Sequence, residues 1–135
     1  MSPANYQTIE YKDEILADKT VCRRYSNGRV EWRTRRSDGR VEWRDNFSQT
    51  GFDELLGGGI IKRSINDRQP IYGREQGYGR TLWSDNLLTI NRTSFSGKLG
   101  AALAAVGGAM LLGGLVAPPA FLGAQEEEAL RRQQQ

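Results

Sequence analysis

Histidine is absent from this chain, and cysteine occurs once, at Cys22. Without imidazole, no nucleophile that depends on a histidine base can be assembled. One thiol excludes an intrachain disulfide, and the Cys/His ligand sets of zinc sites cannot be built. Arg23 and Arg24 flank Cys22 and could depress a thiol pKa, but strand alternation predicts a plain surface or edge cysteine. Phosphate loops are missing too. Gly57-Gly58-Gly59 lacks the following Lys and Ser/Thr, and the glycines between 73 and 79 open no helix. The adjacent carboxylates Asp13 with Glu14, and Asp53 with Glu54, point in different directions, so neither pair makes a metal cage or an acid–base couple. These absences predict a protein that is not an enzyme, with no catalytic residues, no metal and no cofactor. The first ten residues carry no basic region followed by an apolar run, which predicts a domain that stays where it is made, in the cytoplasm.

What the chain does have is arginine: 15 of its 19 basic residues, against 16 acidic ones. Arginine forks match carboxylates and phosphates and stack on aromatic rings. Most of these arginines alternate with Glu or Asp, so pairing across a solvated sheet face is the plainer expectation.

An octad is repeated almost letter for letter. Ser26-Asn27-Gly28-Arg29-Val30-Glu31-Trp32-Arg33 returns as Ser37-Asp38-Gly39-Arg40-Val41-Glu42-Trp43-Arg44, seven of eight residues identical at a spacing of 11. Asn-Gly and Asp-Gly are strong hairpin signals, because both turn residues tolerate positive φ. The spacing suits one strand and one tight turn, and predicts a meander over 19–26, 29–36 and 40–45. A fainter echo at a spacing of 40 matches 39–46 to 79–86. It suggests two copies of one three-stranded unit, 20–46 and 60–86. Between them, Thr50 is expected to start a single helical turn through Leu56, ended by the glycine triplet. Residues 6–11 read as an edge strand and 87–95 as a last one. Alternation puts Val30, Trp32, Val41 and Trp43 on an apolar face, with Trp83 as their counterpart in the second copy. Arg29, Arg33, Arg40 and Arg44 then fall on the opposite face. These four arginines are the candidate site for an anionic partner.

Residues 99–125 carry no charge, with Lys98 before them and Glu126 after. The stretch 97–117 predicts a transmembrane helix of suitable length. Gly97, Ala101, Ala105, Ala109, Gly113 and Ala117 recur every fourth residue, a small-residue ridge suited to close helix packing in lipid. The rival is an Ala/Gly-rich helix buried inside an assembly.

The expected architecture is mainly β: an N-terminal segment (1–18), a duplicated antiparallel sheet domain (19–96), one C-terminal transmembrane-type helix (97–117) and a charged tail (118–135). The expected role is a small, single-pass, membrane-anchored structural subunit or adaptor. Its partners would be a larger membrane-associated protein complex or further copies of itself. The alternative is a membrane-tethered binder of nucleic acid or anionic lipid through the arginine stripe.

Overall fold

The computed structural model describes residues 6–93 and 115–133 of the 135. Nine strands follow one another: β1 (Gln7–Ile15), β2 (Val21–Tyr25), β3 (Val30–Arg35), β4 (Val41–Asp45), β5 (Thr50–Gly57), β6 (Ile60–Ile65), β7 (Ile71–Gly77), β8 (Arg80–Trp83) and β9 (Leu87–Asn91). Each pairs antiparallel with the next, and β1 joins β9 to close a barrel. An up-and-down ring with an odd number of strands must close on a parallel pair. Gln7 accordingly lies opposite Leu87 and Tyr11 opposite Asn91, both strands running the same way. Closure leaves no unpaired edge, so β1 is bonded on both sides instead of forming the expected edge strand. Residues 20–46 and 60–86 each hold three consecutive strands, but within one continuous ring and not as two separate sheets.

The repeated octads do mark hairpins, by a different turn from the one expected. Tyr25 N–H donates to the Arg29 carbonyl and Gly28 N–H to that of Tyr25; Arg36, Gly39 and Arg40 repeat this geometry. Only the glycines take positive φ, +94° at Gly28 and +90° at Gly39. Asn27 and Asp38 instead use their side chains, each accepting the N–H of the arginine two residues on at 3.0 Å. These are three-residue loops with a left-handed residue at the bulge. A second periodicity lies at the end of the barrel that carries the Asn27-Gly28 turn. Asn46 N–H donates to the Val30 carbonyl while its Oδ1 accepts Val30 N–H; Asn66 and Thr50 repeat the exchange, and Ser26 and Glu10 make the same pair. Each bridge spans 16 residues, and the bridging residue recurs every 20. The structural repeat is therefore one hairpin with its turns.

Segment 50–57 is a strand, not a helical turn. Its alternation sends Gly51 and Asp53 inward and Phe52 and Glu54 outward. A period of two outweighed the local helix-start signal at Thr50, whose N–H and hydroxyl bond to Asn66. Gly51 is required here, because a Cβ would collide with the Ser64 carbonyl and with the Trp43 ring.

Residues 115–133 return to the outer wall. Leu115 packs on Leu82, Leu88 and Ile90; Leu122 and Leu130 pack on Leu56, Ile60 and Tyr72. Among the described residues one helix forms, α1 (Ala124–Arg132), and it lies along this wall. The tail is therefore not simply a solvated end. Of the small-residue ridge, Gly97, Ala101, Ala105, Ala109 and Gly113 lie outside the described residues. Residues 115–117 are described and are not helical, and the Ala117 carbonyl accepts Arg74 Nε at 2.9 Å. Among the described residues, no helix is long and apolar enough to cross a membrane.

Candidate functional site

The two octads present opposite faces. Directly opposed residues on neighbouring strands share a face, and Arg33 lies opposite Trp43 while Trp32 lies opposite Arg44. Trp43 points into the lumen and is 1% exposed; its counterpart Trp32 points out and is only half-buried. Glu31 is fully buried inside, whereas its counterpart Glu42 is exposed and pairs with Arg36. The expectation that the tryptophans and the arginines each keep to one face is corrected by this register. A shift of 11, an odd number, through an antiparallel turn carries the same letters to the other side of the sheet.

The lumen holds a charge lattice. Arg29 donates to Asp45 at 2.9 Å and pairs with Glu31. Arg33 bridges Glu31 at 2.9 Å and Asp53 at 3.0 Å. Arg63 grips both Asp53 oxygens, at 2.9 and 3.1 Å, and reaches Glu31 at 3.0 Å from the far side of β4 and β5. Tyr25 Oη donates to Glu31 at 3.3 Å. The guanidinium of Arg63 stacks over Trp43 and Trp83, and that of Arg29 over Tyr25 and Trp43. Three arginines meet three carboxylates, so the cluster is neutral. Burial alone would raise the carboxyl of Glu31, but Arg63, Arg33 and Arg29 outweigh it and hold the group below its ordinary range. At Asp53, burial is likewise outweighed by Arg63 and Arg33. Arg63 is held above its ordinary value, the attraction of Asp53 and Glu31 exceeding the penalty of burial.

Of the four arginines proposed to bind an anion, Arg29 and Arg33 are thus committed inside. Arg40 and Arg44 face outward, over the rings of Phe52 and Trp32, and Arg40 also pairs with Asp38. The structure does not bring the four together. Glu31, Asp45, Asp53 and Arg63 were missed as a group, because only the odd spacing and the cross-strand register reveal that they converge. Cys22, opposite Trp32, is buried, which departs from the surface or edge position expected.

Above the lattice the lumen opens into a cavity of about 230 Å³. Its walls include Tyr11, Trp83 and Thr81, and its rim carries Arg35 on β3, Glu75 on β7, and Leu55 and Ile61 between them. Arg35 and Glu75 are exposed, and neither has an ion-pair partner among the described residues. Burial raises the Tyr11 phenol, which is therefore neutral at ordinary pH.

A second polar centre fastens α1 to the wall. The buried Glu127 accepts Lys62 Nζ at 2.8 Å and Tyr72 Oη at 2.6 Å, and Arg131 spans Glu127 and Glu54. Burial raises the Glu127 carboxyl, but the hydrogen bonds from Lys62 and Tyr72 outweigh it and hold the group below its ordinary value. Burial and the Glu127 bond hold the Tyr72 phenol up at about 12. A depressed carboxyl stabilises docking above its unfolded value, and that stabilisation is lost as pH falls through the folded one. Hydrogen exchange should therefore find α1 amides protected at pH 7, with protection fading only in acid, as pH falls through the lowered Glu127 value. Protection that fades between pH 6 and 7 would contradict the assignment.

No protein-family model, no curated protein and no solved structure matches this chain.

Proposed function

We propose that the protein is a small structural subunit or adaptor, not an enzyme, whose barrel docks onto a larger membrane-associated assembly or onto copies of itself. The observation that carries this reading is the docked C-terminal segment. The described chain leaves the barrel at Thr93, just before the uncharged run, and is back on the barrel wall within that run at Leu115. A helix crossing once would separate its ends by about 30 Å of hydrocarbon. Flanking residues Thr93 and Leu115 on one barrel favour attachment from a single side, in place of the single-pass arrangement expected from hydropathy. Val116 and Phe121, on the returning segment, keep exposed apolar side chains that suit a membrane or protein neighbour. The neutral, mutually satisfied lumen lattice suits a rigid body that presents surfaces. The anion-binding alternative is less well supported, because Arg29 and Arg33 are bound to Glu31, Asp45 and Asp53.

The test uses the full chain in sealed membranes, tagged at both termini. Carbonate washing should leave it bound, and replacing residues 99–114 with Gly/Ser of equal length should release it. External protease should remove both tags or neither. Equal release of parent and replacement contradicts membrane attachment; removal of one tag alone contradicts attachment from one side.

A further inference from the structure

We propose that the end of the barrel where β3 and β7 finish binds a zwitterionic small molecule, an apolar α-amino acid, between Arg35 and Glu75. This site is independent of membrane attachment. The first observation is topological. In a ring of nine, β3 and β7 are four strands apart by one path and five by the other, so they stand across the lumen from each other. Arg35 is the last residue of β3, and Glu75 lies near the end of β7, a strand that runs in the same direction. Both therefore sit at one mouth, and both line the same cavity.

The second observation is chemical. Elsewhere the lumen neutralises its charges: Asp13 takes Arg23, while Glu31, Asp45 and Asp53 take Arg29, Arg33 and Arg63. At the rim this stops. One cation and one anion remain without ion-pair partners among the described residues, on opposite walls. At ordinary strand spacing and tilt, a nine-strand barrel is roughly 18 Å across between backbones. An arginine and a glutamate reaching inward do not close that span. A ligand with a carboxylate for Arg35 and an ammonium for Glu75 would bridge it and pair both.

The third observation is size and lining. About 230 Å³ holds roughly eight waters at 30 Å³ each, which is the scale of one amino acid. Leu55, Ile61 and the rings of Tyr11 and Trp83 offer apolar surface for its side chain, and the charged residues that also line the cavity, Arg23, Arg33 and Asp53, are already held in ion pairs. A singly charged ligand would pair one rim group and leave the other to water.

Calorimetric titration of the full chain with L-leucine, 4-methylpentanoate and isoamylamine decides this. Leucine should bind saturably, and each singly charged analogue at least about tenfold more weakly. Arg35→Gln and Glu75→Gln should each weaken leucine about tenfold or more without changing the thermal midpoint, since neither residue holds the fold. Exchanging the charges, Arg35→Glu with Glu75→Arg, should restore binding with the ligand reversed. No saturable leucine binding up to about 10 mM overturns the proposal. Equal binding of either analogue, or leucine binding indifferent to both single variants, overturns it as well.

Discussion

Replacing Glu31 with alanine should cost about 3–5 kcal/mol, while the same change at Glu42 should cost under about 1 kcal/mol. Urea midpoints of the two variants check this. The residues occupy the same place in two nearly identical octads, so composition and local propensity predict no difference. The lumen does. Glu31 is completely buried and is the one carboxylate that Arg29, Arg33 and Arg63 all reach. Removing it leaves guanidinium charge inside the barrel with too little anion, the costly way to break a buried pair. A domain of this size is typically stable by only about 5–15 kcal/mol. Glu42 lies outside, its pair with Arg36 exposed on both sides. The pH dependence has the same origin. The folded carboxyls of Glu31 and Asp53 are depressed, so their contribution is complete above the unfolded carboxylate value and disappears as pH falls through the lowered ones. The parent should unfold cooperatively in acid, and Glu31→Gln should flatten that transition. Equal urea midpoints for the two alanine variants would remove Glu31 from the lumen.

Trp43→Ala should be comparably damaging, about 3–5 kcal/mol, whereas Trp32→Ala should cost about 1 kcal/mol. Trp43 is buried over Gly51 and beneath two guanidinium groups, so truncation empties the lumen and removes the stacking surface of Arg29 and Arg63. Trp32 carries Arg44 on the outer wall and loses a half-exposed contact. Trp43→Phe should recover much of the loss, because the indole N–H has no hydrogen-bond partner among the described residues, so losing it breaks no hydrogen bond. Fluorescence quenching by iodide should show the same asymmetry: a quenched Trp32 and a protected Trp43. Equal accessibility of the two would contradict the register.

Much of the strand content was legible. The Asn27-Gly28 and Asp38-Gly39 turns and the alternation around Val30 and Val41 place β2, β3 and β4 within a residue or two of where they lie. The choice of inner face was not legible. Alternation separates two faces, and the rule that apolar residues go inside then selects one. Here the inner face of β3 is Glu31 and Arg33, made acceptable by carboxylates and guanidinium groups from strands far away in sequence. Those partners lie on β4, β5 and β6, and a single strand's pattern contains no record of them. Closure was hidden for a related reason. Nothing in residues 7–15 announces a second partner, and β9, the strand that supplies it, lies some 80 residues away. The 20-residue hairpin period was obscured because its marker changes identity, Ser26 then Asn46 and Asn66, and because the 11-residue octad match dominates the eye. The uncharged run suggested a membrane helix by hydropathy alone. The contacts of Leu115, Leu122 and Glu127 with the barrel are tertiary and could not be read from that signal.

Closure of the barrel around an interior charge lattice can be read from a double-mutant cycle between Glu31 and Arg63. These residues sit on β3 and β6, with β4 and β5 between them. In a flat open meander their strands would stand about 14 Å apart, with no direct contact. In the closed barrel Arg63 Nη2 donates to Glu31 Oε2 at 3.0 Å. Urea unfolding of the parent, Glu31→Gln, Arg63→Met and the double variant, with a stabilising osmolyte present throughout, yields the coupling. The coupling should be about 1–3 kcal/mol, the double variant losing less than the two single losses combined. Losses that add within about 0.3 kcal/mol would contradict it.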